Sequence, residues 1–144
     1  MDERRVSLFD TSRGRFYASK WNGTWINGVE FIYTAFDGSL NVFNVQAQNV
    51  TQILSANKVN HFSPYDTQLS ADKNYLLIKR TSHRVFRRSS FGNYAILSLH
   101  NFVLTPLQPS NWSNAHRDFM IRYVSWSPRG NALVYVDYDN NVSF

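Results

Sequence analysis

The stretch YVSWSPRGNALVYVD, Tyr123 to Asp137, sets a short run of β-branched and aromatic residues on each side of a Ser-Pro-Arg-Gly turn. That pattern reads as a β-hairpin. Working outward, the same order of parts recurs along the chain. Trp25-Ile26-Asn27-Gly28 leads into Glu30 to Thr34 (EFIYT) and an Asp37-Gly38 turn, as Trp126 to Gly130 leads into ALVYV and an Asp139-Asn140-Asn141 turn. Between them, Leu69 to Asn74 followed by YLLI (Tyr75 to Ile78) is a weaker copy, with Asp72-Lys73-Asn74 as its turn and Tyr94 to Leu99 (YAILSL) as the next strand. The Asp37-Gly38 pair supplies the positive φ that a tight turn needs, and Leu40 to Val45 returns from it with the alternation of a strand buried on one face. Helical periodicity is scarce from about residue 25 onward.

The turns near Asn27, Lys73 and Arg129 are spaced by 46 and 56 residues, long for a compact blade but compatible with blades carrying loop insertions. The predicted fold class is therefore all-β: a partial β-propeller of about two to three four-stranded antiparallel blades. A self-contained sandwich of seven or eight strands is the alternative that the length permits. In domain terms, residues 1–19 read as a charged lead-in and 20–144 as an incomplete propeller whose last unit stops in what reads as mid-strand. A ring left open exposes strand edges, so association with other chains is expected of it.

Composition narrows the functions. The chain has 144 residues, 43% hydrophobic and 16% aromatic, enough for one sizeable core. Its longest apolar run is Ala132 to Val136, too short for a membrane anchor or a signal peptide. With no cysteine, disulfide frameworks and thiolate metal sites are excluded. The four histidines are spread out, with no i, i+4 pair, so no metal site is expected. Asp137 and Asp139 flank a hairpin turn, where local hydrogen bonding accounts for them without catalysis. Neither a glycine-rich phosphate loop nor a Gly-x-Ser-x-Gly nucleophile turn is present, and no cofactor is implied.

Net charge is +5, and five of the fifteen cations lie in KRTSHRVFRR, Lys79 to Arg88. Such a run is usually a solvated face. It could also meet nucleic acid, with Phe86 and Phe91 as stacking rings, but one cluster in a chain whose other aromatics sit at core spacing argues against that. Four Asn-x-Ser/Thr acceptors occur, at Asn22, Asn49, Asn111 and Asn141, a mild excess for a chain this rich in Asn, Ser and Thr.

Asn22 to Ile26, Asp37 to Val45, Ser70 to Ile78, Phe86-Arg87-Arg88-Ser89, Tyr94 to Leu99 and Val124 to Val136 stand in an order that resembles the amino-terminal propeller of the dipeptidyl peptidase IV family of serine exopeptidases. The resemblance runs from about Val6 to the end. It implies an eight-bladed propeller over an α/β-hydrolase domain, and removal of dipeptides with proline or alanine second from a free amino terminus. The catalytic serine, aspartate and histidine, and the glutamate pair that holds the substrate amine, would lie outside these residues, so this chain is not expected to hydrolyse peptides alone. Its implied partners are the substrate's amino terminus, the hydrolase domain and a second copy in a homodimer, with no nucleic acid. Its implied location is extracellular or on the plasma membrane with type II topology, although cytosolic members exist.

One substrate residue of the family falls in this chain. Its arginine of the Trp-Arg-His-Ser type lands on Arg87, with Phe86 in place of tryptophan and Arg88 in place of histidine. The resemblance gives Arg87 the substrate carbonyl beside the scissile bond, a target suited to a permanently charged fork of donors. Arg88 is the alternative holder of that role, and a solvated loop is the plain reading of both. Relatives that lost the catalytic serine serve as interaction modules, which keeps a non-enzymatic propeller as the alternative function.

Overall fold

The computed structural model describes residues 22–86, 89–109, 112, 119–139 and 141–143. The lead-in, Arg87, Arg88 and Asn111 lie outside the described residues.

Turn chemistry builds the first sheet. Strand β1 (Thr24–Trp25) turns at Asn27, whose side-chain oxygen accepts the N–H groups of Val29 and Glu30, each at 2.9 Å. Strand β2 (Glu30–Thr34) then reaches Gly38, at φ 87°, where Asp37 accepts both the backbone and hydroxyl hydrogens of Ser39. Strands β3 (Leu40–Asn44) and β4 (Asn49–Leu54) complete a sheet in chain order, β1-β2-β3-β4, all antiparallel. The alternation expected of β3 fails at its start. Leu40, Asn41 and Val42 are consecutively buried, so both faces of this interior strand are covered there; Asn41 donates to Ser39 Oγ at 3.1 Å, while its buried Oδ1 has no partner among the described residues.

A two-turn helix, α1 (Ala56–Phe62), leads to the second sheet. Its strands are β5 (Asp66–Leu69), β6 (Tyr75–Lys79), β9 (Tyr94–Ser98) and β10 (Leu104–Pro106), in the order β5-β6-β9-β10. Between β6 and β9 the chain leaves the sheet as a separate two-stranded arm, β7 (His83–Phe86) and β8 (Ser89–Phe91). The YLLI segment is thus the second strand of its blade. The first is β5, whose mostly polar DTQL sequence carries no strand signature.

The hairpin of the opening stretch is β11 (Ile121–Trp126) and β12 (Leu133–Asp137), joined by β13 (Val142–Ser143). Gly130 takes φ 73° in its turn. Each of the three sheets is a meander in chain order, apart from the excursion of the arm. A sandwich would exchange strands between two sheets, whereas here two four-stranded units and a three-stranded one follow one another as blades do.

The core lies between blades. Ile32, Leu40, Val42 and Leu54 of the first share one buried cluster with Leu69, Leu76, Ile78 and Leu97 of the second. At about 1.5–3 kcal/mol for each fully buried side chain of this size, much of the stabilisation is shared across the interface. Phe119, Ile121 and Tyr135 form a second cluster, against which Tyr94 of blade 2 packs.

Candidate functional site

The arm grows from a knot at its base. Arg80 N–H donates to the Asn93 carbonyl at 2.9 Å, and the Thr81 hydroxyl donates to Asn93 Oδ1 at 2.6 Å while accepting the Asn93 N–H at 3.1 Å. Gly92 is buried directly behind this knot. A Cβ there would stand 2.0 Å from the Thr81 carbonyl oxygen and 3.1 Å from Lys79 Cε, so only glycine lets the two segments close. Gly92 also exchanges both backbone hydrogen bonds with Ile121, at 3.1 and 2.8 Å. The arm is therefore joined to the first strand of blade 3 as well as to its own blade.

Lys79 braces the arm from beneath. Its side chain is buried, and Nζ donates to Ser90 Oγ on β8 at 2.7 Å and sits 5.7 Å from the centre of the Tyr94 ring. Aromatic contacts line the far side: His83 stacks on Phe91 at 5.3 Å, Phe91 meets Tyr138 edge-on at 5.1 Å, and the Arg122 guanidinium lies 4.9 Å over Tyr138. Beneath the arm is a cleft of about 630 Å³. It is walled by Asp66, Lys79 and Tyr94 of blade 2, by Val85, Phe86 and Ser89 to Phe91 of the arm, and by Arg122 to Val124 and Tyr138 of blade 3. Burial, helped by the negative charge of Asp66, pushes the Tyr94 phenol above its ordinary value. Phe86, 75% exposed, and Tyr123, 58% exposed, present rings to solvent at the cleft's rim.

The basic run is not one surface. Lys79 is buried under the arm, Arg80 and Arg84 are exposed, and Arg87 and Arg88 fall between β7 and β8, outside the described residues. Asn22, Asn49 and Asn141 are all exposed. Among the described residues no three side chains are grouped to hold a metal ion, and no helix is long and apolar enough to cross a membrane. Sequence reasoning missed Lys79, because its partner lies eleven positions on, across a fold of the chain. Gly92 did carry a signal, as a glycine set among strand-forming residues.

The blades are tied through the very turns whose spacing revealed them. Lys73 Nζ donates to Glu30 Oε1 at 2.7 Å, linking the turns of blades 1 and 2. That bond, with the Asn27 and Asn44 amides, holds the Glu30 carboxyl below its ordinary value of 4.5. Asn131 donates to Asp72 Oδ2 at 2.6 Å, linking blades 2 and 3. The Ser70 hydroxyl first, then the Asn74 N–H and the Asn131 and Asn74 amides, hold the Asp72 carboxyl well below the usual carboxylate range. Trp126 reaches back across the same interface, its indole N–H donating to the Gln68 carbonyl at 3.0 Å and its ring stacking 6.4 Å from Tyr75. Asp137 shows the local turn bonding expected of it, accepting the Asn141 N–H and side-chain amide, each at 2.8 Å.

Among known proteins, residues 70–142 match the family model for the dipeptidyl peptidase IV (DPP IV) N-terminal region. Human prolyl endopeptidase FAP is 27% identical over 141 residues, 96% of this chain but 17% of that protein. Dipeptidyl peptidase 4 of Trichophyton rubrum is 30% identical over 115 residues, 78% of this chain and 14% of that protein. The fold superposes on the crystal structure of Porphyromonas gingivalis dipeptidyl peptidase 4 with a TM-score of 0.69 at 15% identity, covering 97% of this chain and 20% of that one. The chain thus spans about a sixth of the length of the curated relatives it matches most fully. With successive antiparallel blades and a family match over half its length, this chain belongs to the dipeptidyl peptidase IV family, as part of the N-terminal β-propeller.

Proposed function

We propose that this chain is the substrate-positioning part of the propeller of a serine exopeptidase that removes Xaa-Pro or Xaa-Ala dipeptides, working with an α/β-hydrolase domain that supplies the catalytic triad. The observation that carries this reading is the arm: a hairpin anchored to two blades, with positions 87 and 88 between its strands. Arg87 is the substrate contact in this scheme, its guanidinium donating to the backbone carbonyl beside the scissile bond. The arm's double anchorage supports the role, because a donor is useful to a transition state only if it is held in place beforehand. The protein acts on peptide amino termini outside the cell or at the plasma membrane, as a homodimer, and without a nucleic-acid partner.

The test is steady-state kinetics of the full-length protein on a chromogenic Xaa-Pro substrate. A charge-assisted hydrogen bond of about 1.5–3 kcal/mol makes Arg87→Ala lower kcat/KM by roughly 10- to 150-fold. Arg88→Ala leaves it within about threefold, since that side chain makes no substrate bond in this reading. The opposite ranking would transfer the role to Arg88. A full-length protein inert on every such substrate would leave a propeller used for interaction alone.

A further inference from the structure

We infer that the cleft beneath the arm binds an apolar carboxylate, that is, a carboxylate joined to a hydrophobic or aromatic group as at the C-terminal end of a peptide, and that Lys79 receives it. The cation is the starting point. Lys79 is buried yet lines the cleft, and among the described residues it has no acidic partner. Its ammonium makes one hydrogen bond there, to Ser90 Oγ, so two of its three donors are unused. Asp66 stands opposite Lys79 in the register of β5 and β6, but that carboxylate is exposed and accepts the Thr67 N–H at 2.9 Å instead. A cation withdrawn this far from water is costly until an anion completes it.

The ammonium is also held in place. Its stem packs behind Gly92, where an added Cβ would come within 3.1 Å of Lys79 Cε, and Nζ lies over the Tyr94 ring. Donors fixed before a ligand arrives lose less freedom in binding it. Tyr94 is the cross-strand neighbour of Lys79 in β9, and its hydroxyl has no hydrogen-bond partner among the described residues. With the phenol displaced upward, that hydroxyl stays a donor across the physiological range.

Charge and shape choose the ligand. Lys79 and Arg122 bring two positive charges to the walls and Asp66 one negative, so a monoanion is matched while Asp66 repels a phosphate dianion. Phe86, Phe91, Tyr123 and Tyr138 set rings around these charges. A cleft of about 630 Å³ with apolar walls and a few converging polar groups has the usual form of a small-ligand site. A carboxylate beside a hydrophobic side chain satisfies both parts at once, whereas bare acetate satisfies only the charge.

The experiment titrates the full-length protein with N-acetylphenylalanine, its amide, phenylacetate and acetate by isothermal calorimetry. None of these has a free amino terminus, so turnover plays no part, and an inert protein that binds the acid would count against the peptidase reading alone. A charge-assisted hydrogen bond separates acid from amide, so N-acetylphenylalanine should bind roughly 10- to 150-fold more tightly than its amide. Lys79→Met should bring the acid down to the level of the amide. Ser90→Ala breaks the same bond to the arm but keeps the ammonium, so affinity for the acid should stay within about threefold of the parent. Loss in both variants would overturn the assignment by showing that Lys79 only braces the arm. Equal affinity for acid and amide, or a preference that survives Lys79→Met, would overturn it too. Acetate binding as tightly as N-acetylphenylalanine would overturn the apolar part. Whichever of N-acetylphenylalanine and phenylacetate binds more tightly assigns the ligand to a peptide end or to a free aromatic acid.

Discussion

Replacing Gly92 with alanine tests whether the arm is truly bolted to two blades. The new methyl carbon would fall 2.0 Å from the Thr81 carbonyl oxygen and 2.9 Å from the Thr81 carbonyl carbon, against ordinary contacts of about 3.5–4.0 Å. Both close neighbours are backbone, so no rotamer change relieves the overlap, and the segments at 81 and 92 must separate by more than 1 Å, on the order of the contact deficit. That separation strains three backbone bonds at once: Arg80 to Asn93, Gly92 to Ile121 and Ile121 to Gly92. At about 1 kcal/mol net for each bond, the local opening free energy falls by about 3 kcal/mol, roughly a hundredfold in protection. Amide hydrogen exchange reads this directly, because the Gly92 and Ile121 N–H groups are two of the three donors. Gly28→Ala is the control. Nothing lies within 4 Å of its added methyl, and exchange and melting should move by less than about 0.5 kcal/mol. Unchanged exchange at residues 92 and 121 in the Gly92 variant would refute the close approach on which the arm's anchorage depends.

Trp126→Phe keeps a ring against Tyr75 but strands the Gln68 carbonyl, and thermal or urea melting should show a loss of about 1–2 kcal/mol; an unchanged midpoint would mean that the indole hydrogen bond contributes nothing. Lys79→Met keeps the stem under Gly92 and removes the ammonium, so stability should stay within about 1 kcal/mol, whereas Lys79→Asp should cost about 3 kcal/mol or more by burying an unpaired carboxylate. Acid should destabilise the interfaces between blades. The Glu30 and Asp72 carboxyls are depressed in the folded state, so their contribution is complete above ordinary carboxylate values and is lost as pH falls below about 4. Melting from pH 7 to pH 3 should therefore show a steep fall that Asp72→Asn makes shallower. Tyr94, displaced upward, adds the opposite limb, its contribution declining only above about pH 10.

The parts of the fold legible in the sequence are those with a local cause. Asp37-Gly38, Asp72-Lys73-Asn74 and Ser127 to Gly130 could be read as turns because side-chain oxygens and positive φ act within a few residues, and Gly38, Lys73 and Gly130 do take positive φ. Strand β5 was invisible because three of its four residues, Asp66, Thr67 and Gln68, are polar, and its place as first strand is set by pairing with β6, seven or more residues on. The arm was hidden for a related reason. His83 to Phe86 and Ser89 to Phe91 are short segments without an alternating apolar face, and they become strands through each other and through the knot of Thr81, Asn93 and Gly92. Lys79 reads as one more solvated cation until the chain folds Ser90 back over it.

The spacing of the turns predicted a propeller for a physical reason beyond strand content. A turn between the first and second strands of a blade lies where that blade meets its neighbour, so residues there are selected twice, once to close the turn and once to reach across. Asp72 does both: it accepts from Ser70 and Asn74 within its own turn, and from Asn131 in the next. Glu30 does the same with Asn27 and Lys73. In a sandwich, turns sit at the two ends and face solvent, and nothing requires successive ones to hold complementary groups. The polar residues that make the repeat visible are therefore also the ones that join the blades. It follows that exchanging the partners, with Asp72→Asn and Asn131→Asp together, should recover interface stability that either single change loses, which a double-mutant cycle reads as a favourable coupling between the two positions. A coupling of zero would mean that these turns merely sit side by side.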